Sequence, residues 1–217
     1  MKIGILQTAP NNCDALDRCA RKYPGVRIIH FVDECLELCV EEGLAGTKRC
    51  HEILARDFNA LAEAGCERLG LLCSLVKPGI EKVRPLVSKP ILCYDDVQAE
   101  RAVAAVSDGG KIAVIAMNIT SLAPSQKAVY EAAERAGKNV EAVTICVESG
   151  RNCLAETGST DMADAYFERY LREHQDEYHA FVIPQIPLSR IMSKIRDLRR
   201  PIFDSIEPFI DRLVNNY

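Results

Sequence analysis

The sequence predicts an α/β fold of two pseudo-symmetric, flavodoxin-like domains, each a parallel sheet with helices on both faces. Three observations predict this fold. Short apolar runs alternate with amphipathic helical stretches along the chain, the two halves of the chain resemble each other, and 217 residues suffice for two domains of about 100 residues. A hydrophobic share of 48% with mixed charge also excludes a disordered chain.

Eight strands are predicted from the apolar runs, because strands buried on both faces of a parallel sheet are apolar throughout. In chain order the predicted strands are Ile3–Leu6, Val26–Phe31, Leu69–Cys73, Ile91–Cys93, Ile112–Ala116, Val140–Cys146, Ala180–Ile183 and Ile202–Phe203. Apolar residues at helical spacing predict helices over His51–Ala64, Ala123–Ala136 and Asp161–His174. Ser159 is a predicted cap of the last of these helices.

An internal repeat defines the two domains. The matching segments are Lys2–Leu6 with Lys111–Ile115, Gly70–Leu72 with Phe181–Ile183, and Lys89–Leu92 with Arg200–Phe203. The last two matches share an offset of 111 residues without a gap. We therefore expect one domain over residues 1–100 together with a C-terminal helix, 205–217, that packs across onto it. Residues 101–204 form the other expected domain.

Composition and charge limit the partners and the compartment. The net charge is −4, and the most basic stretch, Lys194–Arg200, is typical of a solvated helix face, so no nucleic-acid partner is expected. No apolar segment reaches the ~18 residues that span a bilayer, and the apolar run near the N-terminus is too short for a signal peptide. We therefore predict a cytoplasmic protein without a membrane partner, in which the ten cysteines are thiols.

Ligands of open parallel sheets bind beyond the carboxyl ends of the strands, and two facing domains place these ends around a cleft. Polar residues lie in the loops after the predicted strands and are candidate substrate-binding groups: Gln7, Thr8, Ser74, Asn118, Thr120, Ser121 and Gln185. Each of them has an alternative role as a helix cap or a turn residue. We expect the active site in the cleft between the two domains.

Cys73 is the candidate catalytic residue. It ends a predicted strand, and Pro78 lies near the first turn of the next helix. A thiol before a helix start has its thiolate favoured by unpaired backbone N–H groups and by the helix dipole. The alternative is a buried structural cysteine, the commoner role of any one cysteine.

These residues carry a family resemblance. The run Leu71-Leu72-Cys73-Ser74, followed by Gly79-Ile80-Glu81 and Lys89-Pro90-Ile91-Leu92, resembles the first cysteine motif of the aspartate/glutamate/hydantoin racemase superfamily. Lys111–Ala116 with the polar loop Asn118–Pro124, and His179–Ile183 followed by Leu188-Ser189-Arg190, resemble later segments of that superfamily. The similarity covers nearly the whole chain through short motifs.

The resemblance implies a racemase or isomerase that acts on a small amino-acid-like carboxylate without pyridoxal phosphate, metal or another cofactor. In such enzymes one cysteine from each half flanks the substrate carbon, and one thiolate removes the α-proton while the opposite thiol donates a proton to the other face. Donors that stabilise the resulting anion are also required.

The second thiol is missing where the repeat expects it, near position 184. That segment reads Pro184-Gln185-Ile186-Pro187, and Cys153 replaces the missing thiol only if its loop folds inward. Two alternatives to a racemase therefore stay open. One is a lyase (decarboxylase-like) or isomerase of the same superfamily with one cysteine, and the other is a non-catalytic protein that binds small carboxylates.

Other sites have weaker support. Cys35 and Cys39 lack a second pair at a zinc spacing, the histidines form no spaced cluster, and we expect no metal. Cys13, Cys19 and Cys66 are expected to be packing or surface thiols. Glycine patterns of dinucleotide-binding and P-loop proteins are absent from the sequence. A homodimer is expected because two-fold assemblies are common.

Overall fold

The computed structural model describes residues 1–204 and 206–215 and divides into two compact units. The first unit contains Met1–Tyr94 and the C-terminal helix, whereas the second unit begins at Asp95 and contains the described residues up to Asp204. Residues 205, 216 and 217 of the predicted C-terminal helix lie outside the described residues. None of the described helices combines the length and the apolar character needed to cross a membrane.

The first unit is built on a parallel sheet with the strand order β2-β1-β3-β4. Its strands are β1 (Lys2–Gln7), β2 (Arg27–Val32), β3 (Arg68–Leu71) and β4 (Ile91–Cys93). Its helices are α1 (Cys13–Ala20), α2 (Glu34–Glu41), α3 (Lys48–Glu63), α4 (Ile80–Val83) and α9 (Ile206–Asn215). Helix α9 packs against one face of the sheet, where the ring of Phe209 lies so close to Gly70 that a Cβ atom there would be 2.6 Å from it.

The second unit repeats this topology with the strand order β6-β5-β7-β8, again parallel. Its strands are β5 (Gly110–Ala116), β6 (Val140–Cys146), β7 (Ala180–Val182) and β8 (Ile202–Phe203). Its helices are α5 (Tyr94–Ala105), α6 (Leu122–Arg135), α7 (Glu148–Thr157) and α8 (Thr160–His174). Helix α5 thus begins at the last residue of the first unit.

The predicted α/β fold with two parallel sheets is confirmed, and each predicted strand is present with small differences at its ends. The central strands β1, β5 and β7 are largely apolar because they are buried almost throughout. Three predicted helices are also confirmed as α3, α6 and α8, and the Ser159 side chain caps α8 by accepting a hydrogen bond from the Met162 N–H at 3.3 Å.

Strand pairing corrects the sequence match between the units by one residue. Ile3 pairs with Arg68, and its repeat counterpart Ile112 pairs with Ala180, so β3 corresponds to β7 at an offset of 112 rather than 111. Helix packing agrees with this register. Gly70 of β3 faces helix α9, and the β7 residues that face its counterpart α5 are Ala180 and Val182. Gly70 therefore corresponds to Val182 and not to Phe181. In this register the counterpart of Cys73 is Gln185.

Candidate functional site

Cys73 lies at the carboxyl edge of the first sheet, beside Thr8. The pairing of β3 with β1 continues one residue past the strand, where the Leu72 N–H donates to the Leu6 carbonyl at 2.9 Å. The next residue is Cys73, which is 9% exposed. The Thr8 hydroxyl donates a hydrogen bond to the Cys73 sulfur over 3.7 Å. A hydroxyl that donates to sulfur stabilises the thiolate more than the thiol, so this contact favours the charged, basic form of Cys73.

Ser74 contributes a second polar group next to Cys73. Its side chain is 5% exposed and accepts a hydrogen bond from the Tyr94 hydroxyl at 3.4 Å. Tyr94 follows β4, so β1, β3 and β4 each bring one polar side chain to this edge. Tyr94 thus supplies a hydroxyl donor at this edge.

The segment after Cys73 is not the regular helix that the sequence predicted. Residues 74–76 form a turn, Lys77–Gly79 form one turn of 3-10 helix that contains Pro78, and α4 is only four residues long. Prolines at positions 78 and 85 remove backbone donors, which explains why no longer helix forms. The predicted stabilisation of a Cys73 thiolate by a following helix dipole is therefore wrong, because a short helix that begins several residues away has little dipole at Cys73.

Cys50 is a buried thiol on α3 in the same apolar cluster as Cys73. Burial, with smaller contributions from Cys39 and Cys73, raises the pKa of the Cys50 thiol to about 11. Cys50 therefore stays protonated near neutral pH. This leaves Cys73, with its hydroxyl donor, as the better candidate base in this cluster.

Gln7 makes a different set of contacts from the one expected of a substrate-binding residue. It is 1% exposed, and its Nε2 amide lies 3.1 Å from the Cys13 sulfur and 3.2 Å from His30 Nδ1. His30 Nε2 in turn lies 3.0 Å from a carboxylate oxygen of Asp17. No pattern in the sequence indicates this group of residues, because its members come from β1, β2 and α1 and have no common spacing.

A buried acidic pair lies behind the same edge. Asp33 follows β2, caps α2 by accepting the Cys35 N–H at 2.8 Å, and pairs with Arg56 at 2.7 Å. Arg56 also pairs with Asp57 at 2.7 Å, and the Asp57 side chain is fully buried. Burial first, and then the neighbouring Asp33 carboxyl, raise the pKa of Asp57 to about 7. Capping is the usual role of an aspartate at a helix start, whereas the pairing of Asp33 with Asp57 depends on how α2 and α3 pack.

The corresponding edge of the second sheet carries Gln185 in place of a thiol. The Gln185 side-chain oxygen accepts hydrogen bonds from the backbone N–H groups of Met117 (2.6 Å) and Asn118 (2.9 Å). Since the amide oxygen faces these donors, the Gln185 NH₂ group faces away from them and remains a donor. The loop carrying Gln185 is held by Arg190, which forms two hydrogen bonds with the buried Asp164.

Asn118, Thr120 and Ser121 form a local cap at the carboxyl end of β5. The Asn118 side-chain oxygen accepts the Thr120 N–H at 3.1 Å and the Thr120 hydroxyl at 2.9 Å. The Ser121 hydroxyl donates to the Asn118 carbonyl at 2.9 Å. This is the alternative role expected for such residues, and the exposed Asn118 NH₂ group stays a candidate for substrate binding.

Cys153 does not lie on a loop. It is a buried residue of α7, and its sulfur lies 3.8 Å from the Thr157 hydroxyl of the same helix. None of the ten cysteines forms a disulfide. Within residues 1–204 and 206–215, no three His, Cys, Asp or Glu side chains are placed to hold a metal ion.

Solved structures with a similar fold include racemases and a racemase homologue. An aspartate racemase homologue from Pyrococcus horikoshii OT3 matches with a TM-score of 0.77 and 16% identity, over 98% of this chain and 97% of that one. Glutamate racemase from Aquifex pyrophilus matches with a TM-score of 0.66 and 18% identity, over 100% and 84% of the two chains. Allantoin racemase from Klebsiella pneumoniae matches with a TM-score of 0.65 and 15% identity, over 99% and 86%.

The chain therefore has the fold of the aspartate/glutamate/hydantoin racemase superfamily over its full length. No protein-family model matches the sequence. No curated protein matches it by sequence similarity either.

Proposed function

We propose that the protein is a cofactor-independent enzyme of the racemase/isomerase type, in which Cys73 moves a proton at the carbon beside the carboxylate of a small amino-acid-like substrate. The observation that carries the proposal is the Thr8 hydroxyl donating to the Cys73 sulfur at the end of a central strand. The fold shared with aspartate, glutamate and allantoin racemases supports the same chemistry.

In the proposed reaction the Cys73 thiolate removes the α-proton, and the electron pair of the broken C–H bond moves onto the carboxylate. Thr8 holds the sulfur and favours its charged form. Ser74, which directly follows Cys73, is the proposed donor to the substrate carboxylate, and Asn118, Thr120 and Ser121 at the carboxyl end of β5 stay candidates for the same role. Such donors lower the cost of the enolate-like anion.

A second candidate function is favoured by Gln185. This residue corresponds in strand register to Cys73, and an amide group neither removes nor supplies a proton at neutral pH. A one-thiol enzyme that protonates a single face, such as a decarboxylase-like lyase or an isomerase, needs no second thiol. The Gln185 NH₂ group then serves as a donor to the substrate.

Exchange of the α-proton with solvent deuterium tests the proposal. A panel of small α-amino acids, hydantoins and dicarboxylic acids in D₂O is expected to contain at least one compound that gains deuterium with the wild-type protein. The Cys73→Ser variant is expected to lose this exchange by more than about 10³-fold, since serine is a far weaker base. Cys35→Ser, an exposed cysteine of the same unit, is the matched control and should keep full exchange.

Exchange that persists in Cys73→Ser would overturn the assignment of Cys73. Chiral analysis of the product separates the two functions, because a racemase gives both enantiomers and a one-thiol enzyme gives one. A compound that raises the melting temperature without any exchange or turnover would instead identify a binding protein.

A further inference from the structure

The first unit contains a group of polar side chains around Cys13 that the proposed reaction does not use. It consists of Cys13, Gln7, His30 and Asp17, and it is built from β1, β2 and the first turns of α1. Cys13 is the first residue of α1 and is partly exposed, whereas Gln7 is almost fully buried. A nucleophilic side chain held by a buried polar group needs an explanation beyond packing.

The partners fix the direction of each hydrogen bond. Asp17 accepts from His30 Nε2, so in the tautomer that carries its proton at Nε2 the His30 Nδ1 atom is an acceptor. Gln7 therefore donates one N–H to His30 Nδ1, and its other N–H points to the Cys13 sulfur at 3.1 Å. The sulfur of Cys13 is thus the hydrogen-bond acceptor of this contact.

Two buried side-chain oxygen atoms, Gln7 Oε1 and Asn12 Oδ1, lack a hydrogen-bond donor in the described part of the chain. Gln7 Oε1 belongs to the amide that contacts the sulfur, and Asn12 directly precedes Cys13. A buried acceptor without a donor costs about 1–3 kcal/mol, so a ligand with an O–H or N–H group gains by supplying one.

We propose that Cys13 is a modification site, whose sulfur reacts as a nucleophile with small electrophiles carrying a hydrogen-bond donor, with hydrogen peroxide as the representative of this class. The thiolate attacks one peroxide oxygen, the O–O bond breaks, and hydroxide leaves and takes up a proton from water. The sulfur is oxidised to a sulfenic acid and the peroxide is reduced. The new S–O–H group supplies the donor that Gln7 Oε1 lacks.

Cys35 is the matched comparison within the same unit. It is exposed and near the start of α2, so accessibility and helix position alone would make it more reactive than Cys13. Its hydrogen bond to the Asp33 carboxylate, together with the charge of that carboxylate, raises the pKa of Cys35. A comparison of the two thiols therefore separates the effect of hydrogen-bond donors on thiol reactivity from the effect of solvent exposure.

The test is cysteine-resolved mass spectrometry of the full-length protein treated with dilute hydrogen peroxide and dimedone, which traps sulfenic acids. Cys13 is expected to be labelled about ten times faster than Cys35 at neutral pH. The variant His30→Phe removes the acceptor that orients the Gln7 amide. It is expected to slow labelling of Cys13 about three- to tenfold and to leave Cys35 unchanged.

Labelling of Cys35 at the same rate as Cys13 or faster in the wild-type protein would overturn the proposal, whatever the behaviour of the variant. A second pair of probes tests the role of the two oxygens. Iodoacetamide carries N–H donors and N,N-dimethyl iodoacetamide carries none. The alkylation rate with iodoacetamide divided by the rate with the dimethyl compound should therefore be at least threefold larger at Cys13 than at Cys35. Equal ratios at the two cysteines would contradict the donor-binding part. These readouts are independent of any activity at Cys73.

Discussion

The two units share one topology, yet the equivalent edges of their sheets carry different groups. In the first unit the central strand β3 leads to Cys73, whose sulfur receives a hydrogen bond from Thr8. In the second unit β7 leads to Gln185, whose amide oxygen is held by the backbone of Met117 and Asn118. The repeated sheet therefore fixes where a side chain stands, and the residue at that place decides which groups it contacts.

The buried acids behind the two edges differ as well. Asp164 in the second unit pairs with Arg190, whereas Asp33 and Asp57 in the first unit share Arg56. Burial of Asp57 and the neighbouring Asp33 carboxyl raise the pKa of Asp57, because one guanidinium does not compensate two carboxylates. Four experiments test this contrast between the units, in order of expected effect.

The largest expected effect is the pH dependence that Asp57 gives to stability. Its pKa is raised to about 7, so the folded state binds a proton that the unfolded chain releases near pH 4. The free energy of unfolding should therefore fall as the pH rises from about 4 to about 7, by on the order of 3 kcal/mol. Urea denaturation of the wild type and of Asp57→Asn should show this loss in the wild type only. Parallel pH profiles for the two proteins would contradict it.

Gly70→Ala tests the packing of α9 on the first sheet. A Cβ atom at Gly70 would lie 2.6 Å from the Phe209 ring, which is fully buried and has no free space to move into. We expect a loss of about 1–3 kcal/mol in the free energy of unfolding. Gly46→Ala is the control, since nothing lies within 4 Å of its Cβ position and its φ is not positive. Equal stabilities for the two variants would mean that α9 packs more loosely than described.

Gln185→Leu tests the group that replaces a thiol in the second unit. In this variant the backbone N–H groups of Met117 and Asn118 lose their acceptor, and only the exposed N–H group of Asn118 gains a water molecule in its place. We therefore expect a loss of about 1–2 kcal/mol in the free energy of unfolding. Gln185→Glu keeps an acceptor oxygen and should cost less than half as much. Chemical denaturation measures both, and a larger loss in the glutamate variant would show that the side-chain oxygen is not the group that matters.

The smallest expected effect is on the Thr8 hydrogen bond, and it rests on the proposed function. Thr8→Val removes the donor to the Cys73 sulfur with little change in volume. A weak hydrogen bond to sulfur contributes about 1 kcal/mol, so α-proton exchange should slow about fivefold. Thr8→Ser keeps the hydroxyl and serves as the control. Unchanged exchange in Thr8→Val would show that Thr8 has no part in the mechanism. It would not bear on Cys73, whose role is tested by the Cys73→Ser variant.

The sequence by itself determined the strands, the α/β class and the repetition of one topology. Strands such as β5 and β7 are covered on both faces, and a short run of apolar residues between helices is a reliable sign of that environment. The same apolar character leaves the register between β3 and β7 undetermined by the sequence. Phe181 and Val182 are both apolar and both buried, so no alternation distinguishes one offset from the next.

Only the tertiary structure decided that Gln185 stands where the first unit has Cys73, because hydrogen bonds between strands fix a register that hydrophobicity leaves open. It also brought Gln7, His30 and Asp17 to Cys13 from three separate elements. Local patterns along a chain record which side of an element is buried. They do not record which polar groups meet across elements, since those contacts depend on how the elements pack.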